Sequence, residues 1–204
     1  MSREDRPLII GSSTGPEPPY PLRMDGKVIA GFGRGSKELG IPTANIPVET
    51  VSWISNIPSG VYFGWSSLHL PPNHSSLKTT NDISQTHVPA EKLADGWRIY
   101  PMVMSIGYNP FYKNTVRSAE VHVLDEFGQD FYGSWMAVVL LGYIRPELDY
   151  VDVESLIRDI KFDCQVARTS LDRKAWEDAA GDGFLWGIGG AEGKEVEEES
   201  KEKI

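Results

Sequence analysis

Strand-like segments with apolar residues, rather than a helical period, set the pattern through the middle of this chain. Residues 27–30, 60–68, 100–106, 118–124 and 135–144 are rich in Val, Ile, Tyr, Trp or Phe and are bounded by turn residues, the pattern of β-strands. No helical stretch separates them, which predicts an antiparallel sheet or barrel rather than alternating strands and helices. A helical period appears only after the last strand. There Val153, Leu156, Ile157, Ile160, Cys164, Ala167 and Leu171 recur at helical spacing, predicting one amphipathic helix packed against the barrel and capped by Asp149 or Asp152.

The remaining segments lack periodicity. Residues 1–22 carry Gly-Ser-Ser-Thr-Gly-Pro-Glu-Pro-Pro and are expected to be a disordered leader; 23–180 form the barrel domain; 181–204 form an acidic disordered tail. Between 70 and 96 the composition turns to Pro, Asn, Ser, Thr and His, which predicts a surface insertion. His69, His74 and His87 fall in or beside it at irregular spacing, better suited to a solvated loop than to a metal cluster.

Charge and cysteine usage narrow the function classes. With 29 acidic and 20 basic residues among 204, the formal net charge is −9, which argues against a nucleic-acid or anionic-membrane partner. One cysteine, Cys164, excludes an internal disulfide and a cysteine-built zinc site. No apolar run is long enough to span a bilayer. The expectation is a soluble, cytoplasmic protein, with an organelle pool left open, and a monomer, because no heptad pattern is present.

Local chemistry concentrates in Gly31-Phe-Gly-Arg-Gly-Ser-Lys-Glu-Leu-Gly-Ile-Pro-Thr-Ala-Asn45. Gly31, Gly33 and Gly35 let backbone N–H groups approach an anion, Lys37 adds a point charge, and Thr43 and Asn45 offer hard oxygens suited to Mg²⁺. The spacing fits neither a Walker loop nor a dinucleotide fingerprint. In 118–124, alternation puts Glu120 and His122 on one strand face, against Ala119, Val121 and Val123 on the other. Phe127-Gly-Gln-Asp-Phe-Tyr-Gly133 then reads as an aromatic turn. Pro146 ends the last strand and leaves Arg145 at a rim, either paired with Glu147 or offering a guanidinium fork to a phosphate or a planar ligand.

Together with Ser105-Ile-Gly-Tyr-Asn-Pro-Phe-Tyr-Lys-Asn114, Glu120-Val-His-Val123, Asp130-Phe-Tyr-Gly133 and Gly142-Tyr-Ile-Arg-Pro-Glu147, that loop resembles the riboflavin kinases over roughly residues 24–171. The resemblance implies a mainly β fold, a six-stranded antiparallel Greek-key barrel with a packed C-terminal helix. It implies transfer of the ATP γ-phosphoryl to the ribityl 5′-hydroxyl of riboflavin, giving FMN and ADP. Glu120 is then the general base. ATP is held by Gly31, Gly33, Gly35, Lys37 and Thr43 and by backbone near Val123 and Asp125; Mg²⁺, with Mn²⁺ or Zn²⁺ as alternatives, by Thr43 and Asn45; the flavin by Arg145 and Leu148, with Leu156 and Ile160 as an apolar wall. Two other readings stand beside it: a non-catalytic flavin or nucleotide carrier, and a kinase for another small hydroxyl substrate. FMN rather than FAD is the expected product.

Overall fold

The computed structural model describes residues 6–30, 40–75, 96–108 and 116–186. Six strands form one sheet: β1 (Leu22–Lys27), β2 (Ala44–Asn45), β3 (Gly60–His69), β4 (Trp97–Tyr108), β5 (Arg117–Val123) and β6 (Trp135–Arg145). Their order is β1-β6-β3-β4-β5-β2, with every pairing antiparallel. The sheet curls until its two edges meet, where the Ile29 N–H donates to the Asn45 carbonyl at 2.9 Å. That bridge links the two ends of the sheet order. The fold expected from the sequence is therefore present, and the β3-β4-β5 meander with β6 inserted between β1 and β3 is its Greek-key feature.

Each strand has two faces with different neighbours. The inner face is mainly apolar: Met24, Tyr62, Leu68, Met102, Met104, Ala119, Val121, Met136, Val138 and Leu140 share one buried cluster. The outer face is covered over β3, β4 and β6, where Val61, Phe63, Trp65, Val103, Val139 and Leu141 pack against Ala167, Leu171 and Trp176. Those last residues come from helix α1 (Val153–Leu171) and the short helix α2 (Lys174–Glu177). Two register shifts between β3 and β6, at Val61/Tyr62 and Phe63/Gly64, bring extra residues of β6 to the helix side. Gly64 is required there, because a Cβ on it would lie 2.0 Å from the Val139 carbonyl oxygen.

The structure revises the sequence expectations in six places. β1 begins at Leu22, ahead of the expected 27–30, and β2 lies within the stretch read only as a ligand loop. Of residues 6–21, expected to lie in a disordered leader, 6–15 lie along α1 and α2, and Tyr20 packs against the barrel cluster. The Ile10 N–H donates to Ser170 Oγ at 2.9 Å, Arg173 donates to the carbonyls of Ile10, Gly11 and Ser12, and Trp176 Nε1 donates to the Ser12 carbonyl at 2.8 Å. A proline- and glycine-rich composition hid this strap because its anchors are side chains on distant helices. Asp152 caps α1 by accepting from the Ser155 N–H at 2.6 Å, as expected, but the buried helix face is Asp159, Asp163, Val166, Ala167, Ser170 and Leu171, while Val153 is half exposed. The insertion also starts inside the barrel, with Leu70 fully buried and His74 nearly so. At the other end Leu185 is buried, so the packed region reaches past 181; residues 187–204 lie outside the described residues.

Candidate functional site

Register across the sheet assembles the site. Asn45 on β2 opposes Glu120 on β5, Glu120 opposes Ser105 on β4, Ser105 opposes Val61 on β3, and Val61 opposes Arg145 on β6. Directly opposed residues of antiparallel strands project to the same face, so these five form one row across the outside of the barrel. Val61 belongs to the apolar cluster packed by α1, whereas Asn45, Glu120 and Ser105 lie outside that cluster. Glu120 is half-buried and Asn45 is buried. The alternation expected from 118–124 is present: Ala119, Val121 and Val123 face the inner core while Glu120 and His122 face outward.

His122 sits one row along, opposite Val103. Its Nδ1 lies 2.8 Å from the Pro42 carbonyl oxygen, which can only accept, so Nδ1 carries the hydrogen and Nε2 presents a lone pair in the neutral ring. Burial holds the ring pKa below its ordinary 6.5, outweighing the Pro42 bond, and the nearby Arg168 guanidinium lowers it further. The same bond ties the segment entering β2 to β5. It thereby positions Thr43 and Asn45, residues i and i+2 of an extended stretch, beside the Glu120–His122 face.

The donor chemistry of this corner fits a hard divalent cation. A hydroxyl, an amide oxygen and a carboxylate lie on adjoining positions, and such oxygens suit Mg²⁺ better than a soft or nitrogen-seeking metal. Among the described residues no group of three or more His, Cys, Asp or Glu side chains is placed to hold a metal by itself. His69 instead stacks on Trp97 at 5.4 Å between ring centres, and His74 meets the edges of Phe127 and Phe131, with Nε2 3.3 Å from the Gln129 carbonyl oxygen. The aromatic turn thus folds over the barrel end as a packed cap.

Arg145 departs from expectation. Rather than standing at an open rim, it is 7 % exposed, and its Nε and Nη2 grip both oxygens of Asp163 on α1, at 2.9 and 2.8 Å to Oδ2. Its Nη1 donates to the Pro146 carbonyl at 3.0 Å. The physical reason is the buried Asp163 carboxylate, 1 % exposed, which sequence periodicity did not register as an inward-facing charge. The guanidinium therefore works as a strut under the link between β6 and α1. That link returns to the site: a Cβ on Gly107 would lie 2.1 Å from Glu147 Oε1, so the Glu147 carboxylate lies directly over the glycine backbone. Gly107 opposes Ser118, two residues from Glu120 on the same face. The pairing of Arg145 with Glu147 weighed from sequence gives way to Arg145 with Asp163.

The other expected residues divide by position. Leu148 is exposed on the same link. The side chain of Val123 faces the inner core, leaving only its backbone for a ligand, and Asp125 is exposed, its Oδ1 accepting the Glu126 N–H at 2.8 Å. Leu156 and Ile160 are half-buried. Gly31, Gly33, Gly35 and Lys37, and the motif residues 109–114, lie outside the described residues. Ser105 and Glu147 escaped the sequence reading. Ser105 is set beside Glu120 only by the β4–β5 register, and Glu147 by the three-dimensional path of the link.

A curled antiparallel barrel with a carboxylate, an imidazole and hard oxygen donors gathered on one outward-facing corner is the architecture of a small barrel enzyme. The chain belongs to the riboflavin kinase family: the family model described as "Flavokinase: Riboflavin kinase" matches residues 18–171. It is 54% identical over 190 residues to the riboflavin kinase of Chaetomium globosum, covering 84% of this chain and 81% of that one. It is 57% identical over 173 residues to that of Pyricularia oryzae, with the same coverages of 84% and 81%. Among solved structures, the riboflavin kinase of Trypanosoma brucei superposes with a TM-score of 0.59 at 23% identity, covering 84% of this chain and 92% of that one, a likeness of fold. No described helix is long and apolar enough to cross a membrane.

Proposed function

We propose that the chain phosphorylates riboflavin with ATP, and that the outer corner around Glu120 is where the transfer occurs. The observation that carries the placement is the β2–β5 register, which sets Asn45 opposite Glu120 on the outward face of the sheet. In the transfer, a bond forms between the ribityl 5′-oxygen and the γ-phosphorus, the bond from that phosphorus to the β–γ bridging oxygen breaks, and ADP leaves with the electron pair. The hydroxyl proton passes to a Glu120 carboxylate oxygen. A glutamate is ordinarily ionised near neutral pH, so Glu120 can accept that proton without prior activation.

Phosphoryl transfer asks a protein mainly for positioning and charge neutralisation. Thr43 and Asn45 would hold Mg²⁺, which when bound neutralises phosphate charge. His122 orients the β2 entry through Pro42 and presents Nε2 as an acceptor beside the acid–base pair of substrate hydroxyl and Glu120. Leu148 supplies an apolar contact for the flat flavin ring, while Arg145 acts from beneath by fixing the link that carries it. The glycine-rich stretch with Gly31, Gly33, Gly35 and Lys37 is assigned to the ATP phosphates on sequence pattern, and the backbone at Val123 and Asp125 to the nucleotide. One cysteine in the whole chain suits a reducing compartment, here taken as the cytoplasm, and a monomer suffices for every role named.

The test is conversion of riboflavin to FMN, followed by chromatography, with Mg-ATP, with chelator, and with other small alcohols as acceptors. Metal-dependent FMN formation selective for riboflavin is expected. Riboflavin binding without product would favour the carrier, and phosphorylation of another acceptor with riboflavin inert would favour a different kinase.

A further inference from the structure

The N-terminal strap reaches the proposed active corner through a chain of buried charges. Arg6 Nη1 donates to Asp163 Oδ1 at 3.1 Å, and its Nη2 donates to Asp159 Oδ1 at 2.9 Å, so a single guanidinium bridges two aspartates one helical turn apart on α1. Its flat face lies over the Phe162 ring, 4.5 Å from the centroid. Asp159 and Asp163 are 3 % and 1 % exposed. Asp163 is also the residue that Arg145 grips, and Arg145 in turn holds the Pro146 carbonyl. Two cations and two carboxylates thus form a neutral group between strap, helix and the end of β6.

We infer that Arg6 is a positioning residue for the flavin side of the site, acting through Asp163 and Arg145 on the link 146–152; this rests on the riboflavin kinase reading above. Without Arg6, Arg145 would be shared by two buried carboxylates. An unbalanced buried charge is relieved by rearrangement or by water entry. Either change alters how Arg145 holds Pro146, and with it the placement of Glu147 over Gly107 and of Leu148 beside it. Thr43 and Asn45, by contrast, are held by β2–β5 pairing and by the bond between His122 and Pro42, at the far end of the row. A disturbance starting at Arg6 therefore reaches the acceptor half of the site before the phosphate half.

Steady-state kinetics on the full chain separates these halves. Wild-type FMN formation is measured first, so its absence counts against the kinase reading and this assignment with it. In Arg6→Ala the KM for riboflavin should rise about tenfold while the KM for Mg-ATP stays within about twofold. Neutralising Asp159 as well, in Arg6→Ala/Asp159→Asn, should bring the riboflavin KM back to within about threefold of wild type, because the Asp163–Arg145 pair is again balanced. Near-ultraviolet circular dichroism at the assay temperature shows that each variant is folded. If Arg6→Ala does not fold, Arg6→Lys carries the test, keeping the charge but not the two-armed bridge, and a smaller rise confined to riboflavin is expected. Equal rises in both KM values, an unchanged riboflavin KM in a folded variant, or a double variant no better than Arg6→Ala would overturn the assignment.

Discussion

The outer face of the barrel is two surfaces with opposite chemistry on one sheet. Over β3, β4 and β6 it is apolar and sealed: Phe63 stacks on Trp176 at 5.4 Å, and Trp65 Nε1 donates to the Trp176 carbonyl at 3.0 Å. Toward β5 and β2 the same rows continue as Ser105, Glu120, His122 and Asn45, which lie outside that apolar cluster. The border is marked by the Arg145–Asp163 pair and by Arg168, which donates to the Leu124 carbonyl at 2.6 Å. Polar side chains can stand on a sheet that is elsewhere dry because α1 covers only part of it.

The contrast can be broken from either side. Glu120→Gln should reduce kcat for FMN formation by about 10²–10⁴ with the thermal midpoint little changed, since it removes a proton acceptor and no core atom. Comparison of turnover with a thermal melt checks both. On the sealed half the effects should be reversed in kind. Asp163→Ala, which strands Arg145, and Phe63→Ala, which opens a cavity beside Trp176, should each cost about 3–5 kcal/mol of unfolding free energy by urea titration.

Two smaller effects sharpen the picture. Asn45→Ala should raise the Mg²⁺ concentration for half-maximal rate about tenfold, read from a metal titration of activity. His122 has a folded-state pKa below its ordinary 6.5, so the folded protein resists protonation that the unfolded chain accepts. Its contribution to stability is complete at higher pH and is lost as pH falls through about 6.5 and on below it. In His122→Gln that part of the acid-side decline should vanish, which denaturant titrations at several pH values would reveal.

Much of this organisation was legible in the chain before folding. The alternation of 118–124, a strand buried on one face, put Glu120 and His122 together, whereas 60–68, 100–106 and 135–144, largely buried on both faces, were located by their β-branched and aromatic content between turn residues. Asp152 was readable as a cap for the same local reason. What stayed hidden depends on partners far away in sequence. Asp159 and Asp163 look like solvent-facing residues until two arginines, 153 to 157 positions upstream or 18 positions away, are brought to them. Arg145 looked like a rim cation because its partner is on the next element. The strap of 6–21 has no period at all, since it is held by hydrogen bonds to its backbone carbonyls, and β2 is too short for any pattern.

The most direct measurement is amide chemical-shift mapping of the labelled protein titrated with Mg-ADP and riboflavin. Shifts should concentrate on Asn45, Ser105, Glu120, His122 and Leu148 and spare Phe63, Val139 and Leu171 beneath the helices. Shifts centred on the sealed half, or on the His74–Phe127–Phe131 cap with the Glu120 row silent, would contradict a transfer site on the uncovered corner.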